Sequence, residues 1–116
     1  MAAEDCIFCK IASGEIPATL EYEDEHVVAF KDMNPQAPVH ILVIPRVHIE
    51  KIGDINSDNA DILQHLINGA NKIAQKFNIA EDGYRLVINS GDNGGQTVYH
   101  IHVHVLGGRF MKWPPG

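Results

Sequence analysis

The sequence predicts an α+β domain with an antiparallel sheet, one long helix and a short N-terminal helix. One long segment, residues 57–78, carries apolar residues at helical spacing. Several short apolar runs lie on either side of it and have the length of strands. Because short connections join the strand candidates, antiparallel pairing is favoured, with the helix packed on one face of the sheet. The 116 residues are expected to form a single domain, residues 1–116.

The first half of the chain contains the short helix and three strand candidates. The helix is predicted over Glu4–Ser13, where Gly14 ends it. Strands are predicted at Leu20–Glu23, Val27–Phe30 and His40–Ile44. Pro35 and Pro38 interrupt both kinds of regular structure, so the segment Asp32–Pro38 is predicted to be a loop.

The second half begins with the long helix, for which Ser57 is the predicted N-cap. Apolar residues keep helical spacing along this segment, and the helix is predicted to end near Asn78. Three elements follow, namely a strand at Tyr84–Asn89, a glycine-rich loop at Ser90–Gln96, and a last strand from Thr97 or Val98 to Leu106.

Charge and composition narrow the classes of partner. A net charge of −6 and a pI near 5.5 argue against a nucleic-acid backbone or an anionic membrane surface as the main partner. No stretch approaches the ~20 apolar residues that span a bilayer, and residues 1–5 lack the basic start of a secretory signal. Two cysteines are too few for a disulfide framework. The expected location is the cytoplasm, with no nucleic-acid or membrane partner.

The most informative segment is the last predicted strand, where every second residue is histidine. In a strand, His100, His102 and His104 share one face, while Tyr99, Ile101, Val103 and Val105 face the core. One interpretation is an exposed face with solvated histidines. Another is a metal site, but these rings span ~13 Å along a strand, so one ion cannot bind all three. The third interpretation is a nucleophile, because imidazole titrates near neutral pH and can attack phosphorus.

Cys6 and Cys9 form a Cys-x-x-Cys pair, which is typical of metal or redox sites. A redox pair normally follows a strand, and no strand is predicted before this one. Tetrahedral zinc needs two further ligands, for which His48 and His100 are available. The alternative is two unrelated cysteines in a helix.

Several other residues have mainly structural interpretations. His40 begins an apolar strand, where a hydrogen-bonded structural histidine is the commoner role. The loop Ser90–Gln96 either turns backbone amides toward an anion or forms an ordinary turn. Asp32 lies beside a proline-broken loop, where a turn-forming aspartate is the commoner role. His26 and His65 are interpreted as surface residues.

The sequence resembles the histidine triad (HIT) family, and its Hint branch in particular. The segment His100–Leu106 matches the family signature, in which three histidines alternate with apolar residues. The likeness extends over nearly the whole chain and includes Cys6–Ile11, Gly14–Pro17, Asp32–His40, Gly94–Tyr99 and the ending Leu106–Gly116. The resemblance implies a HIT-like fold and a homodimer that binds purine nucleotides of the AMP or GMP type.

The resemblance also implies an activity, the hydrolysis of purine nucleoside 5′-phosphoramidates such as adenylylated lysine to AMP and an amine. No cofactor is expected to be required for catalysis. His102 would be the nucleophile that forms a phosphoryl-histidine intermediate, assisted by the catalytic positions His40, His104 and Thr97. The implied nucleotide-binding positions are Phe8, Ile11, Ile16, Phe30 and Met33 at the base, Asp32 at the ribose, and Asn89, Gly95, Thr97, His102 and His104 at the phosphate.

Some prokaryotic-like members of the family bind zinc, which implies a structural zinc site at Cys6, Cys9, His48 and His100. Two positions depart from the Hint branch: Thr97 replaces the usual serine, and Met33 replaces an isoleucine. Neither change removes a chemical group needed for activity. Two other functions stay open, namely a dinucleoside polyphosphate hydrolase and a nucleotide-sensing or scaffolding module with incidental hydrolysis. The tail around Trp113 favours the Hint branch over the polyphosphate hydrolases.

Overall fold

The computed structural model describes residues 3–116 and contains a five-stranded antiparallel sheet with strand order β1-β2-β3-β5-β4. The strands are β1 (Leu20–Glu23), β2 (Val27–Lys31), β3 (Val39–Pro45), β4 (Tyr84–Val87) and β5 (Val103–Gly107). Helix α1 (Ile7–Ser13) precedes the sheet, and helix α2 (Asp61–Lys76) lies between β3 and β4. The predicted fold class is confirmed, although β4 ends before the predicted Asn89. Met1 and Ala2, part of the segment tested for a secretory signal, lie outside the described residues.

The two faces of the sheet are covered by different helices. Helix α2 packs on one face, called here the α2 face, and the larger core cluster lies beneath it. The close approach of α2 to the sheet requires a glycine, because a Cβ on Gly69 would lie 3.0 Å from a side-chain atom of Val43 and 3.1 Å from one of Val27. Helix α1 covers the opposite face, called here the α1 face. A smaller core cluster that includes Phe8 and Phe30 lies there. The candidate functional residues lie on the α1 face.

The predicted N-terminal helix is divided in two by a cysteine. Residues Ala3–Asp5 form a single 3-10 turn, and α1 begins only after Cys6. Cys6 is the N-cap of α1, since its Sγ accepts a hydrogen bond from the backbone N–H of Cys9 at 3.4 Å. Gly14 ends the helix as predicted, with a φ of 82°. This division leaves the Cys6 thiol fully buried under the α1 face.

Helix α2 begins at Asp61, so the prediction of Ser57 as its N-cap is wrong by about one turn. The preceding residues form turns, in which the side chain of Asn59 accepts a hydrogen bond from the N–H of Asn56 at 2.7 Å. Short polar side chains compete in this way with helical hydrogen bonds. The helix ends at Lys76, close to the predicted end. Among residues 3–116, no helix is both long and apolar enough to cross a bilayer.

The last strand is shorter than predicted, because it begins at Val103 rather than at Thr97 or Val98. Its partner strand β3 ends at Pro45, which has no N–H for a continuing ladder. The chain before β5 pairs elsewhere: Ile101 donates its N–H to the carbonyl of Ile49 at 2.7 Å. The segment that carries the first two histidines therefore bends away from the sheet.

Candidate active site and metal cluster

All three histidines of the motif lie on the α1 face, although only His104 belongs to β5. His100 and His102 are 0% and 6% exposed, so the interpretation of a solvated face is wrong. The intervening Ile101 and Val103 belong to the core under α2. The predicted alternation of faces is therefore retained through the bend.

His102 uses one ring nitrogen in a backbone hydrogen bond and leaves the other for chemistry. Its Nδ1–H donates to the carbonyl oxygen of His100 at 2.8 Å, which places the lone pair on Nε2. The ring lies edge-on to Phe8, with centroids 5.2 Å apart. Burial lowers the pKa of His102, opposed by this carbonyl and by the charge of Asp32. A neutral imidazole with a free Nε2 is the form that acts as a nucleophile.

Hydrogen bonds also determine where His40 and His104 carry their protons. The N–H of Gln36 donates to His40 Nδ1 at 3.0 Å, so the hydrogen of His40 is on Nε2. His40 Nε2 lies 2.9 Å from His104 Nδ1 and donates to it, which puts the hydrogen of His104 on Nε2. Within the described residues, His104 Nε2 is buried without a partner. His40, His102 and His104, called here the triad cluster, thus offer one free acceptor and one free donor.

Asp32 forms the predicted turn and also lies beside the triad cluster. Its Oδ1 accepts a hydrogen bond from the N–H of Asn34 at 2.7 Å, and its Oδ2 lies 3.4 Å from His40 Nε2. Burial lowers the pKa of His40, and the charge of Asp32 opposes this shift. Burial, together with neighbouring His102 and His40, lowers the pKa of His104 to about 4. The rings of the triad cluster are therefore neutral at pH 7.

A cavity of about 530 Å³ borders His102 and His104, and its wall is mainly apolar. Most of the nucleotide-binding residues implied by the resemblance line it, namely Phe8, Ile11, Ile16, Phe30, Asp32, Met33, Thr97, His102 and His104. The lining also contains residues that the sequence did not single out, namely Ile7, Pro17, Ala18, Thr19, Glu21, Lys31, Leu42 and Val98. A cavity of this size with polar groups at its border suits a small aromatic ligand.

Asn89 and Gly95 do not line this cavity. The N–H of Gly95 donates to the carbonyl of Asp92 at 3.0 Å, and the N–H of Gln96 donates to the carbonyl of Gly91 at 3.1 Å. These two amides are engaged within the loop. These hydrogen bonds are typical of an ordinary turn, and the anion-binding interpretation of the loop stays a prediction.

The glycine-rich loop is closed by Gln96, which is buried. Its Nε2 donates to the carbonyl of Glu50 at 2.7 Å. Tyr99 follows this anchor and was expected to face the core, but it lies outside both core clusters and donates its hydroxyl hydrogen to Asp92. The expectation is wrong because the strand alternation begins only at Ile101.

Cys6, Cys9, His48 and His100 form a second group, called here the metal cluster. Their ligand atoms all lie within 4.8 Å of one another. Cys9 Sγ is 3.3 Å from His48 Nδ1, Cys6 Sγ is 3.4 Å from His100 Nδ1, and the two Nδ1 atoms are 3.2 Å apart. A tetrahedral zinc ion, with bonds of about 2.3 Å to sulfur and 2.0–2.1 Å to nitrogen, sets ligand atoms about 3.3–3.8 Å apart. The residues brought together here fit such an ion.

The chemistry of this donor set also fits zinc. His100 Nε2–H donates to the carbonyl of Pro45 at 2.8 Å, which leaves Nδ1 as the ligand atom. Burial lowers the pKa of His100 to about 4, so the ring is neutral. Burial and neighbouring Cys6 raise the pKa of the Cys9 thiol to about 11. A bound cation would instead favour the deprotonated form of Cys9, because thiols coordinate metals as thiolates.

His26 and His65 meet although they are far apart in sequence. Their rings stack with centroids 3.6 Å apart and an interplanar angle of 12°. His65 Nε2 also lies 4.0 Å from the carboxylate of Asp61. His26 is exposed as predicted, whereas His65 is partly buried by this contact.

In sequence and in structure the chain is similar to proteins of one family. Residues 13–111 match the model of the HIT domain. The chain is 50% identical to purine nucleoside phosphoramidase of Escherichia coli K12 over 107 residues, 92% of this chain and 90% of that protein. It is 53% identical to the 14 kDa zinc-binding protein of Zea mays over 112 residues, 95% of this chain and 87% of that protein. The structure matches a HIT family hydrolase from Legionella pneumophila with a TM-score of 0.92 and 55% identity, covering 96% and 99% of the two chains. The chain therefore belongs to the HIT domain family.

Proposed function

We propose that this protein hydrolyses purine nucleoside 5′-phosphoramidates to a nucleoside monophosphate and an amine. The observation that carries the proposal is the unprotonated Nε2 of His102 beside the N–H of His104, which has no partner among residues 3–116, at the wall of an apolar cavity. The two rings have centroids 5.0 Å apart, so both can reach one phosphoryl group. The similarity to the E. coli phosphoramidase supports the same reaction.

In the first half-reaction, His102 Nε2 attacks the phosphorus atom of the substrate. A bond forms between phosphorus and Nε2, and the bond from phosphorus to the amine nitrogen breaks. The ring becomes positively charged, and the hydrogen bond from its Nδ1–H to the carbonyl of His100 stabilises that charge. The N–H on His104 Nε2 donates to a phosphoryl oxygen, where negative charge increases in the transition state.

In the second half-reaction, water attacks phosphorus and His102 leaves as neutral imidazole. Burial of the ring favours this step, since it lowers the pKa of His102 and so favours the uncharged leaving group. The departing amine takes up one proton in the first half-reaction, and the attacking water releases one in the second. The overall reaction therefore consumes one water and leaves the enzyme unchanged.

The rest of the cavity supplies binding for the nucleoside. Phe8 and Phe30, whose ring centroids are 5.5 Å apart, form an apolar wall against which a purine can pack. The carboxylate of Asp32 is an acceptor suited to ribose hydroxyls, and Thr97 offers a hydroxyl near the phosphate. Asn89 and Gly95 do not line the cavity, and their roles at the phosphate stay predictions from the family resemblance.

The test is steady-state kinetics on tryptamine phosphoramidates of AMP and GMP, compared with dinucleoside polyphosphates. We expect higher kcat/KM for the phosphoramidates. Mass spectrometry of the quenched reaction should detect a nucleoside monophosphate attached to His102. Preference for the polyphosphates would contradict the proposal in favour of that hydrolase class. Nucleotide binding without turnover of either class would instead favour a sensing module.

We also propose that the metal cluster holds one structural zinc ion. Two thiolates and two imidazoles form one of the usual ligand sets for structural zinc. The maize relative is named as a zinc-binding protein, which supports this assignment. The ion would tie the start of α1 to the segment before β5. It takes no part in the hydrolytic steps.

Finally, we propose a homodimer whose C-terminal tail reaches the substrate pocket of the partner. Phe110 and Trp113 are 86% and 80% exposed, and large exposed aromatic side chains are typical of interfaces. Sedimentation should detect a dimer both for the full chain and for a variant that lacks residues 111–116. The truncation should change the preference among amine leaving groups more than the affinity for AMP. A monomeric full-length chain, or unchanged kcat/KM for every substrate after truncation, would contradict this proposal.

A further inference from the structure

A β-bulge in the edge strand β1 places Glu21 at the border of the cavity. Leu20 pairs with Phe30, but the next pair is Tyr22 with Ala29, so Glu21 is an extra residue in the ladder. In a regular strand Leu20 and Tyr22 would share a face. Here Leu20 packs on the α1 face and Tyr22 on the α2 face. The bulge thereby keeps Glu21 on the side of Leu20, where it lines the cavity.

The carboxylate of Glu21 is held in place from the edge of the sheet. Lys76, at the end of α2, donates from Nζ to the backbone carbonyl of Glu21 at 2.7 Å and to Oε1 at 3.2 Å. The side chain of Glu21 is only 14% exposed, whereas that of Lys76 is 51% exposed. Burial of a carboxylate costs free energy unless it is paired, and this ion pair offsets the cost. Because each carboxylate oxygen accepts two hydrogen bonds, Glu21 keeps acceptor capacity for a ligand bound in the cavity that it borders.

Glu21 and the triad cluster lie at opposite sides of the cavity. Paired residues form a row across the sheet from β1 to β5, namely Leu20, Phe30, Leu42 and His104. With strands about 4.8 Å apart, this row spans about 14 Å. A nucleotide with its phosphate at the triad cluster and its base on the apolar wall directs the far edge of the base toward β1.

We propose that Glu21 selects guanine over adenine, an inference that rests on the proposed function for the position of the phosphate. Guanine presents N1–H and the 2-amino group on one edge, and a carboxylate can accept both in a bidentate pair. Adenine presents an unprotonated N1 on that edge, which would face the negative charge of Glu21. Hypoxanthine presents N1–H alone. The expected order of affinity is therefore GMP, then IMP, then AMP.

The test is calorimetric titration of the purified full chain with GMP, IMP and AMP. In the wild type, GMP should bind about tenfold or more tightly than AMP, because hydrogen bonds to a charged group are strong. In Glu21→Gln this ratio should fall to near unity, because GMP affinity falls while AMP affinity is unchanged or rises.

Two control variants separate recognition from structure. Glu23→Gln lies on the same strand and also removes an ion pair, with Arg46 at 3.2 Å, but Glu23 does not line the cavity. It should retain the wild-type order. Lys76→Met removes the tie to Glu21 and retains the carboxylate, so it should keep a preference for GMP. A purely structural role of Glu21 predicts instead that Glu21→Gln and Lys76→Met lower all three affinities alike.

Equal affinities of the wild type for GMP and AMP would overturn the inference, and so would equal losses of both in Glu21→Gln. The wild-type ranking by itself decides the matter if Glu21→Gln does not fold. Because the measurement is of binding, it does not depend on turnover. Absence of phosphoramidate hydrolysis would therefore remove the proposed function, whereas hydrolysis without base preference would remove only the role of Glu21.

Discussion

The metal cluster and the triad cluster lie next to each other on the α1 face, yet their histidines are arranged differently. In the metal cluster, four ligand atoms converge within 4.8 Å and their side chains enclose one point. In the triad cluster, the rings of His40 and His104 are joined by a single hydrogen bond, and the free nitrogens border a cavity. The first arrangement suits an ion with saturated coordination, and the second suits a reacting group.

Backbone carbonyls account for this difference. His100 donates Nε2–H to the carbonyl of Pro45, which leaves Nδ1 beside the thiols. His102 donates the other nitrogen, Nδ1–H, to the carbonyl of His100 and leaves Nε2 for the cavity. Two histidines that are separated by one residue thus use opposite tautomers. The backbone carbonyl to which each ring donates therefore determines which ring nitrogen is available for chemistry.

The largest effect is expected for His102→Ala, which tests whether the triad cluster alone carries the chemistry. Removal of the nucleophile should lower kcat by about 10⁴-fold or more, while AMP still binds. The matched control is His65→Ala on α2, which should keep wild-type turnover. Rate measurements and AMP titration of both variants check this. Wild-type turnover in His102→Ala would refute the covalent mechanism.

The metal cluster is tested by Cys9→Ser, which removes one ligand. We expect about one zinc per chain in the wild type and none in the variant by elemental analysis. Loss of the ion should lower stability by about 3 kcal/mol, or roughly 10 °C in Tm for a domain of this size. Turnover at 25 °C should fall far less than in His102→Ala.

A chelator-treated wild type provides the control for Cys9→Ser, since it loses the ion and keeps the thiol. Its Tm should match that of the variant. A metal-free wild type with an unchanged Tm would indicate that Cys6 and Cys9 do not form a metal site. Loss of all turnover in folded, metal-free protein would indicate that the triad cluster depends on the metal cluster for its activity.

A smaller effect is expected on the pH dependence of stability. Burial lowers the pKa of His104 from 6.5 to about 4. Between these pH values the unfolded chain binds a proton that the folded protein excludes, so stability falls as pH decreases through 6.5. From pH 7 to 5.5, wild type should therefore lose about 1 kcal/mol more than His104→Gln in urea unfolding. An identical loss in both proteins would contradict the burial of a neutral ring.

The sequence predicted the strands and helices because their apolar periodicity is a local property. The predictions were less accurate where side chains and backbone groups compete for hydrogen bonds. The turn before α2 replaced the expected helix start at Ser57 because Asn59 binds a neighbouring amide. The last strand lost its first residues because β3 ends at Pro45. The bulge that exposes Glu21 to the cavity depends on pairing between two strands and has no signal in β1 alone.

The sequence by itself determined that three histidines alternate with core residues, and that a Cys-x-x-Cys pair has two candidate partners among the histidines. Residue identity and spacing carry that information. Only the tertiary structure decided which nitrogen of each ring is free, because that depends on the carbonyls of Pro45 and His100 and on the amide of Gln36. These partners come from different segments, and folding sets their distances. The histidine motif was therefore readable from sequence, whereas the division between ligand, nucleophile and donor required the fold.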